Sequence, residues 1–459
     1  MSERTKVSKV KGVLKGYFPT EMFDPFLRAP LKSVGTALIL VICSVTLVVW
    51  IAQGSESMQS IIVVVAKTFA FLAITFLSLN FITSVRWSVL ENLFGGLDKQ
   101  YKVHKMVGKL TLLFIIFHLA FLTIRALPIW SSVFSLYVPG LNIPSTWGIV
   151  SLLALFVLLA LTLHKRITYS VWLLTHRLMV IPLIFAIWHA LDAGSDIRSY
   201  PVLMSWILII GGLGILAYAY TLFLYRYFGP KYRVEVVKVN RFPDMTEIHL
   251  RCEGRELSFH PGQFVFVRFP TSMGILEMWP FSISNHPRED TIRLSIKKRG
   301  DFTGERVPLV KEGDHAVIMG PYGKFGERYL NQKRNMIWIA GGIGITPFLS
   351  MARNEAENPI GRQVDLIWAY RNSEEGLYYD ELIQGEKKSK DLRFHPWVSS
   401  ELGRLDSEKV SVLLGGKNNV LGKVIFLCGP LPMMENLSRQ FLEMGVRIND
   451  IVFEDFNLL

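Results

Sequence analysis

The sequence predicts a multi-domain membrane protein, in which a six-helix transmembrane bundle is followed by an antiparallel β-barrel domain and an α/β domain. Half of the 459 residues are hydrophobic, and the apolar excess lies in the first half of the chain. After Pro230 the pattern changes to alternating strand-like segments, and from Met336 strands alternate with helices. The predicted divisions are residues 1–32, 33–226, 229–330 and 331–459.

The first half contains six apolar runs, each about as long as a membrane-spanning helix. They are Val34–Ala52, Ser60–Ile82, Val103–Ile124, Thr146–Leu163, Val171–Leu191 and Pro201–Tyr225. Basic residues precede the first run and crowd the second and fourth connections. In those connections they are Arg86, Lys99, Lys102, Lys105, Lys165 and Arg166. Because Lys and Arg are retained on the cytoplasmic side, we expect the N-terminus and everything after Tyr225 to be cytoplasmic.

Composition and cysteine usage argue against several other classes of protein. The formal net charge of +12 is explained by the membrane flanks, so nucleic acid is not an expected partner. Cys43, Cys252 and Cys428 are far apart, so neither a disulfide framework nor a metal-binding spacing is expected. The segment before the first apolar run is basic and interrupted by prolines, so a removable signal peptide is not expected.

Downstream of the apolar runs, strand-like segments predict first a barrel and then a parallel sheet. The barrel segments are Tyr232–Val239, Gln263–Phe269, Ile292–Lys297 and Ala316–Met319. From Met336 a strand, a glycine-rich turn and a helix are followed by the strands Asp365–Tyr370 and Val424–Cys428 and a helix around Met433–Met444. This alternation is typical of an α/β domain.

Four histidines inside the apolar runs are the first candidates for chemistry. His104 and His118 are fourteen positions apart, and His176 and His189 are thirteen apart. Ionisable residues are costly in a bilayer and usually have a function there. At about 1.5 Å per residue, each pair spans roughly 20 Å along a helix and places one histidine near each membrane face. Two such helices can hold two stacked haems, the inner between His104 and His176 and the outer between His118 and His189.

The two pairs differ in how well an ideal helix would present them. Fourteen residues at about 100° each leave His104 and His118 about 40° apart on one face. Thirteen residues leave His176 and His189 about 140° apart, so the second helix must deviate from ideal geometry. Pro182 lies between them and removes a backbone hydrogen bond, which predicts a kink.

Three short segments in the barrel region carry a resemblance to a known family. They are His260-Pro261-Gly262-Gln263-Phe264, Trp279-Pro280-Phe281-Ser282-Ile283-Ser284 and Lys297-Lys298-Arg299-Gly300-Asp301-Phe302-Thr303. In this order they resemble the flavin-binding barrel of the ferredoxin reductase superfamily. The resemblance implies that Phe281 lies against the FAD isoalloxazine ring and that Ser282 bonds the ring near its hydride-accepting nitrogen. It also implies that Thr303 and the amide of Gly300 contact the pyrophosphate.

One residue departs from the family pattern. Trp279 stands where the family usually has Arg, or His in its oxidase branch. An indole has no positive charge to offer a phosphate. The phosphate contact is then expected from Arg268, Lys297 or Arg299.

A second glycine-rich segment follows a predicted strand and opens a predicted helix. Its glycines and the residues after them are Gly341, Gly342, Gly344, Thr346 and Pro347. Backbone amides at such a turn can receive a dinucleotide phosphate. The segment is similar to the nicotinamide-binding loop of the same superfamily, which places a cysteine and a glycine beside the nicotinamide, here within Cys428-Gly429-Pro430.

The choice of nicotinamide cofactor stays open. Arg371 follows the second strand of this domain and can pair with a 2′-phosphate, which favours NADPH. Glu374 and Glu375 nearby can equally favour the unphosphorylated ribose of NADH.

The C-terminal segment Phe453-Glu454-Asp455-Phe456-Asn457-Leu458-Leu459 resembles tails that place an aromatic ring over the flavin face. Phe456 is the matching candidate. The other interpretation is a plain hydrophobic anchor for the last strand. The resemblance thus implies Phe281, Ser282, Cys428 and Phe456 as the residues nearest the reacting rings.

The stretch from Arg86 through Asp98 to His104 and His118, with the second histidine pair, resembles the ferric reductase-like transmembrane domain of NADPH oxidases and ferric reductases. Together the resemblances imply a bundle, an antiparallel β-barrel flavin domain and an α/β nucleotide-binding domain. The implied cofactors are FAD, two haem b and NADPH, with NADH possible. The implied location is a multi-pass membrane protein with a cytoplasmic N-terminus and cytoplasmic dehydrogenase domains. No obligatory protein partner is predicted.

The expected function is electron transfer from cytoplasmic NAD(P)H through FAD and two haems to an extracytoplasmic acceptor. Oxygen as acceptor would make the protein a superoxide-generating NADPH oxidase, and a ferric chelate or other metal would make it a metalloreductase. A hypothesis of another class is a nucleotide-regulated proton or solute transport module with histidines as relays. Haem content separates this hypothesis from electron transfer. A flavin reductase that is merely anchored would need one span, not six.

Overall fold

The computed structural model describes residues 33–54, 60–127, 129–141, 143–164, 167–192, 196–271 and 278–455. The predicted order of helical bundle, antiparallel barrel and parallel α/β domain is confirmed. Within the described ranges, six helical segments are long and apolar enough to cross a bilayer. Phe456, the candidate for an aromatic ring over the flavin face, lies outside the described residues.

The membrane domain is built from long helices joined by short ones. These are α1 (Val34–Gly54), α2 (Ile61–Ile82), α3 (Ser88–Phe94), α4 (Leu97–Ala126), α5 (Trp130–Tyr137), α6 (Ile143–Leu163), α7 (Tyr169–Arg177), α8 (Val180–Asp192), α9 (Asp196–Ser199), α10 (Pro201–Ala219), a π-helical turn (Tyr220–Leu224) and α11 (Tyr225–Phe228). The predicted fifth span is present as the apolar segment Tyr169–Asp192, in which α7 and α8 are separated by a turn.

Helix α2 lies at the centre of the bundle and packs against α1, α4 and α10. Its middle is buried, with Phe76 and Leu79 packing on Val103 and Val107 of α4. On the α10 side Gly214 lets the two backbones approach, since an added Cβ there would lie 3.0 Å from the Cα of Ser78. Small residues permit this kind of close approach between membrane helices. The central helix is therefore closely packed against both α4 and α10.

The barrel is a six-stranded antiparallel sheet. Its strands are β1 (Lys231–Arg241), β2 (Met245–Cys252), β3 (Phe264–Arg268), β4 (Trp279–Ser282), β5 (Thr291–Lys297) and β6 (His315–Tyr322), in the order β4-β3-β6-β1-β2-β5. A single bridge between Ile283 and Leu294 joins the two ends of this order, so the barrel is nearly closed. Short helical turns cover Phe302–Arg306 and Val307–Leu309. Helix α12 (Phe325–Leu330) leads to the next domain.

The α/β domain has a five-stranded parallel sheet between helices. Its elements are β7 (Met336–Gly341), a 3₁₀ turn (Gly342–Ile345), α13 (Thr346–Glu357), β8 (Val364–Tyr370), a 3₁₀ turn (Ser373–Glu375), α14 (Tyr379–Lys388), β9 (Leu392–Val398), α15 (Ser399–Leu402), α16 (Ser407–Leu413), a 3₁₀ turn (Lys417–Asn419), β10 (Val424–Cys428), α17 (Leu431–Met444), a 3₁₀ turn (Ile448–Asp450) and β11 (Ile451–Glu454). The strand order is β11-β10-β7-β8-β9. Both faces of the sheet carry buried apolar clusters, as expected for parallel strands covered by helices.

A buried polar network holds the barrel against the α/β domain. Arg293 of β5 donates to both carboxylate oxygens of Glu381, at 2.8 and 3.0 Å. Tyr378 donates to the hydroxyl of Ser295 at 2.6 Å and lies 3.0 Å from a carboxylate oxygen of Glu247. Bidentate guanidinium–carboxylate pairs fix orientation as well as distance. The network sets the angle between the barrel and the α/β domain.

Candidate functional site

The first histidine pair is held by backbone carbonyls of the neighbouring helix. Nδ1 of His104 donates to the carbonyl oxygen of Asn80 at 2.9 Å, and Nδ1 of His118 donates to that of Ala66 at 2.8 Å. Both acceptors lie on α2, and their separation along the chain equals that of the histidines. A histidine that donates through Nδ1 presents an unprotonated Nε2, the arrangement usual for a metal-ligating imidazole. Both imidazole rings of α4 thus donate through Nδ1 and leave Nε2 unprotonated.

The second pair lies on two helices rather than one. His176 is the penultimate residue of α7, and His189 lies in the last turn of α8. Between them the chain makes tight hydrogen bonds of the 3₁₀ type, from the amides of Leu178, Met179 and Ile181 to carbonyls three residues earlier. The helix is therefore interrupted at 178–179, just before Pro182, the residue from which the sequence predicted a kink.

Pro182 accounts for the position of this interruption. It is the third residue of α8, where a helix has no intrahelical partner for an amide in any case. Its ring would clash with the carbonyl of Leu178 in a continuous helix. The break at 178–179 removes that clash. The hydroxyl of Ser151 on α6 donates to the Pro182 carbonyl at 2.8 Å and secures the start of α8.

The inner members of the two pairs face each other. The ring centroids of His104 and His176 are 6.1 Å apart, with an angle of 69° between the ring planes. Two imidazoles that ligate one metal from opposite sides, with nitrogen–metal distances of about 2 Å, have centroids about 6 Å apart. The inner pair therefore fits bis-imidazole ligation of a haem iron.

The surroundings of the pairs also suit a planar group with acidic substituents. Nη1 of Arg177, next to His176, is buried and has no hydrogen-bond partner within the described part of the chain. A buried guanidinium nitrogen without a partner is costly unless an anion meets it. At the other end, an added Cβ at Gly148 would lie 3.0 Å from Nε2 of His189, so the glycine leaves room beside that ring. Both observations fit a haem, whose propionates are anionic.

The first flavin segment forms a locked turn at the start of β3. The side-chain carbonyl of Gln263 accepts from the amide of His260 at 2.8 Å, and its amide group donates to the Gly323 carbonyl at 3.3 Å. Gly262 has a φ of +83°, a conformation that favours glycine. The carbonyl of Pro261 lies where a Cβ on Gly326 would be, 1.7 Å away, so the two segments touch through glycine.

The second segment forms β4 and pairs with β3. Trp279 and Pro280 lie opposite Val267 and Phe266, and the next two residues, Phe281 and Ser282, lie opposite Val265 and Phe264. Ser282 is buried, whereas Phe281 and Trp279 are partly exposed. Since side chains alternate along a strand, Phe281 and Trp279 lie on the same face of the sheet.

The third segment is a turn after β5. The Thr303 hydroxyl donates to the Arg299 carbonyl at 2.5 Å and accepts from the Arg299 amide at 2.7 Å. The predicted pyrophosphate contact of Thr303 thus competes with bonds inside the turn. Gly300 has a φ of +73° and open space where a Cβ would be. Lys297 pairs with Glu375 of the α/β domain at 3.2 Å.

The nicotinamide loop and the end of β10 are brought into contact. A Cβ added to Gly344 would lie 2.3 Å from the Cys428 carbonyl oxygen, and one on Gly429 would lie 3.0 Å from Gly341. Thr346 begins α13, with Pro347 in its first turn. Pro430 precedes α17. These residues, predicted from separate motifs, therefore form one wall at the carboxyl ends of β7 and β10, where dinucleotides bind in such sheets.

Cys428 is fully buried and uncharged. Burial, and then the nearby carboxylates of Glu454 and Asp455, raise the pKa of its thiol well above the ordinary value. A thiol in these surroundings is a poor nucleophile. Its role is therefore to pack or to donate weakly rather than to attack.

A cavity of about 190 Å³ lies between the barrel and the α/β domain. Its lining includes Lys297, Gly342, Trp368, Arg371 and Glu375. The cavity joins the glycine loop to the residues that the sequence predicts to choose between NADPH and NADH. Both Arg371 and Glu375 line it, so the geometry keeps both cofactors open.

The dehydrogenase domains contact the membrane domain at the end that carries His104 and His176. Lys102, two residues before His104, pairs with Asp455 at 3.2 Å. The carboxylate of Glu91 on α3 accepts from the amide of Gly323 at 2.8 Å. Sequence reasoning missed these contacts, because Lys102 was interpreted as a basic membrane flank and no motif singled out Glu91. They place the flavin barrel beside the inner pair.

Three family models match the chain in this order. The ferric reductase-like transmembrane component matches residues 69–187, an FAD-binding domain matches 229–326, and an oxidoreductase NAD-binding domain matches 338–439. The first model covers both histidines of α4 and His176, and ends just before His189.

Two curated relatives and one solved structure show how much of this chain resembles known proteins. The chain is 26% identical over 222 residues to Flavohemoprotein A of Dictyostelium discoideum, covering 45% of this chain and 55% of that protein. It is 30% identical over 203 residues to the Sulfhydrogenase 2 subunit gamma of Pyrococcus furiosus, covering 41% and 69%. A solved flavohemoglobin from Malassezia yamatoensis with bound FAD and heme has 18% identity and a TM-score of 0.48, covering 86% of this chain and 96% of that chain.

The chain spans between about half and two thirds of the length of most of the curated relatives it matches. The membrane half is assigned by its own family model and by the six apolar helices of the described ranges. The three models in this order are the architecture of one group of membrane enzymes. With these three domains in this order, the chain has the architecture of the NADPH oxidase/ferric reductase superfamily, a ferric reductase-like transmembrane domain followed by FAD- and NAD-binding domains.

Proposed function

We propose that this protein carries electrons from cytoplasmic NAD(P)H through FAD and two b-type haems to oxygen on the far side of the membrane, producing superoxide. The observation that carries the proposal is the inner histidine pair, whose ring centroids are 6.1 Å apart. The equal spacing of the carbonyls that hold His104 and His118 extends the same argument to the outer position. FAD supplies the conversion between a two-electron hydride donor and one-electron haem iron.

The chain's own residues would divide the work as follows. The wall formed by Gly341, Gly344 and Cys428 leaves room for the nicotinamide nucleotide against the sheet edge. Phe281 offers a ring face to the flavin, and Ser282 offers a hydroxyl that can hydrogen-bond the flavin. The neutral thiol of Cys428 adds no competing negative charge beside a site where hydride is transferred. Arg177 offers an unpaired nitrogen to a haem propionate.

Orientation follows from charge. The basic second connection lies on the side that contacts the barrel and the α/β domain, with Arg86 over the ring of Phe266 and Lys102 paired with Asp455. The positive-inside rule assigns this side to the cytoplasm. The inner histidines would then receive electrons from the cytoplasm, and the outer histidines would deliver them to the opposite face.

The first experiment compares haem content and flavin reduction in histidine variants. His118→Leu is expected to lose the outer haem and acceptor reduction, while flavin bleaching by NADPH under anaerobic conditions survives. His164→Leu is the matched control, because His164 is exposed just after the end of α6 and is not one of the four proposed ligands. Visible spectra of detergent-purified protein give the haem-to-flavin ratio. A folded, flavin-loaded preparation without any haem would refute the proposal and favour the transport hypothesis.

The acceptor is tested on the same preparation. Reduced protein is mixed with oxygen or with a ferric chelate, and superoxide is measured by the part of cytochrome c reduction that superoxide dismutase removes. Ferrous iron is measured anaerobically. Fast reoxidation by oxygen with superoxide release supports the proposed oxidase. Fast reoxidation by the chelate alone would assign the protein as a ferric reductase with the same electron path.

A further inference from the structure

A column of aromatic rings connects the barrel to the inner histidine pair. Trp279 of β4 stacks on Phe302 with centroids 4.8 Å apart and planes at 11°. Its other neighbour is Tyr169, at the start of α7, with centroids 4.5 Å apart. Tyr169 stacks on Trp172 at 5.6 Å and 20°, and Trp172 stacks on His176 at 5.0 Å and 9°. The column thus passes from one domain to the other at a single contact, between Trp279 and Tyr169.

Trp279 uses its ring faces in this column and not its polar atom. Its Nε1 is buried and has no hydrogen-bond partner among the residues described. Without a charge, the indole cannot neutralise a phosphate as the Arg or His usual at this position in the family would. Close aromatic pairs with offset or tilted rings are attractive in themselves. The position is therefore built for a contact between domains.

The membrane side of the contact is tied directly to a candidate haem ligand. Tyr169, Trp172 and His176 are spaced three and four residues apart, so they lie on one face of α7. Helix α7 is short and ends at Arg177, so its orientation depends on what packs against this face. A ring that packs on Tyr169 consequently fixes both the helix and the plane of the His176 imidazole.

We propose that Trp279 is a positioning residue that docks the flavin barrel onto α7 and so fixes the distance between the flavin and the inner haem. This inference rests on the proposed role of His176 as a haem ligand. In the step that it serves, the reduced flavin loses one electron and ferric haem iron gains it, and the column itself is neither oxidised nor protonated. Electron transfer through protein weakens steeply with distance, so a looser barrel slows this step selectively.

The test separates flavin loading, flavin reduction and haem reduction in three variants. Trp279→Ala removes the docking ring, Trp279→Phe keeps an aromatic ring, and Trp87→Ala removes a tryptophan that is 55% exposed. Each protein is mixed rapidly with NADPH without oxygen, and the flavin and haem bands are followed. For Trp279→Ala we expect unchanged flavin content and bleaching, with flavin-to-haem transfer slowed severalfold. Trp279→Phe should restore most of the rate, and Trp87→Ala should match the parent protein.

A second variant on the membrane side checks that the contact itself is responsible. Tyr169→Ala should slow the same step, and the double variant with Trp279→Ala should be no slower than the slower single variant, because both remove one contact. Additive slowing would overturn the proposal. It would also be overturned if Trp279→Ala lost FAD while each remaining flavin reduced haem at the parent rate, since Trp279 would then be a flavin contact.

A readout that needs no haem keeps the two proposals separable. Hydroxyl-radical footprinting should find Tyr169 protected in the parent protein and newly reactive in Trp279→Ala. If the parent contains no haem, the proposed function fails, and the footprint still decides whether Trp279 docks the barrel. Equal reactivity of Tyr169 in both proteins would refute docking whether or not haem is bound. The electron paramagnetic resonance of the inner haem adds a signature, since a released His176 ring changes the angle between the axial imidazoles from the present 69°.

Discussion

The two histidine pairs reach similar placements by different means. His104 and His118 lie on one uninterrupted helix, fourteen positions apart, and each is held by a backbone carbonyl of α2. His176 and His189 are thirteen positions apart on two helices separated by a tight turn. A 3₁₀ turn advances about 120° per residue instead of about 100°, so about four such residues reduce an offset of about 140° to about 60°. The break therefore replaces the missing fourteenth residue.

The difference shows that the direction in which two helical side chains point can be set by their sequence separation or by a break in the helix. The first pair needs only its sequence separation and a straight helix. The second depends on Pro182, on the turn before it and on side chains of α6 that secure both ends. We therefore expect the second pair to be the more sensitive to substitutions that leave the histidines intact.

The largest effect is expected from Pro182→Ala. An amide at this position can bond the Leu178 carbonyl, which allows α7 to continue into α8 and turns His176 and His189 back towards about 140° apart. We expect the haem-to-flavin ratio to fall from two to about one or below. Pro201→Ala is the matched control, because Pro201 is the first residue of α10, where proline is tolerated and its loss changes little. Two haems with parent-like spectra in Pro182→Ala would mean that the turn does not depend on the proline.

A smaller effect is expected from adding a methyl group near each pair, next to the ring of His189 or next to the residue whose carbonyl holds His104. In Gly148→Ala the new Cβ would lie 3.0 Å from the His189 ring, so the ring has to move. In Gly108→Ala it would lie 3.1 Å from Nδ2 of Asn80, whose backbone carbonyl, not its side chain, holds His104. We expect partial loss of the outer haem in the first variant and full haem content in the second, measured by spectra and redox titration. Gly212→Ala, with open space around it, is the control. Equal haem loss in Gly148→Ala and Gly108→Ala would contradict the asymmetry.

The sequence predicts the parts of this arrangement that depend on periodicity. The six spans, the common face of His104 and His118 and the glycine-rich loop before α13 all follow from spacing along one element. The sequence also predicts an irregularity from Pro182. The break itself lies at 178–179, because a proline clashes with the carbonyl four residues before it. The carbonyl partners of the first pair also have a signal in the sequence, which is their separation along α2. In two antiparallel helices, acceptors on α2 must have the same separation along the chain as the histidines.

Contacts between domains were not predictable in the same way. Trp279 could be recognised as a departure from the family pattern, yet its partner Tyr169 lies far earlier in the chain, in the connection before the predicted run Val171–Leu191. The charge of Lys102 was assigned to membrane topology, and no motif singled out Glu91. In the structure Lys102 pairs with Asp455 and Glu91 accepts from the amide of Gly323. Tertiary placement, rather than local pattern, decides what such residues touch.

The smallest effect is expected where the second pair is held by a side chain. The Thr162 hydroxyl lies 3.4 Å from Nδ1 of His176 and donates to the Leu158 carbonyl at 2.7 Å, so it can only accept from the imidazole, and weakly. Thr162→Val removes this acceptor while keeping the shape of the side chain. Loss of such a partner typically weakens metal binding about 10- to 100-fold, and the long distance favours the lower end. We expect both haems to remain, with the inner one transferring faster to excess apomyoglobin.

No equivalent substitution exists for the first pair, because its acceptors are backbone carbonyls that every residue carries. The closest test is Asn80→Ala, which keeps the carbonyl and should leave the release rate of the inner haem nearly unchanged. If Asn80→Ala released haem faster than Thr162→Val, the side chain of Asn80 would matter more than its backbone. The first pair would then be no better protected than the second. If the order is as expected, holding ligands by the backbone makes the straight helix the more tolerant half of the site.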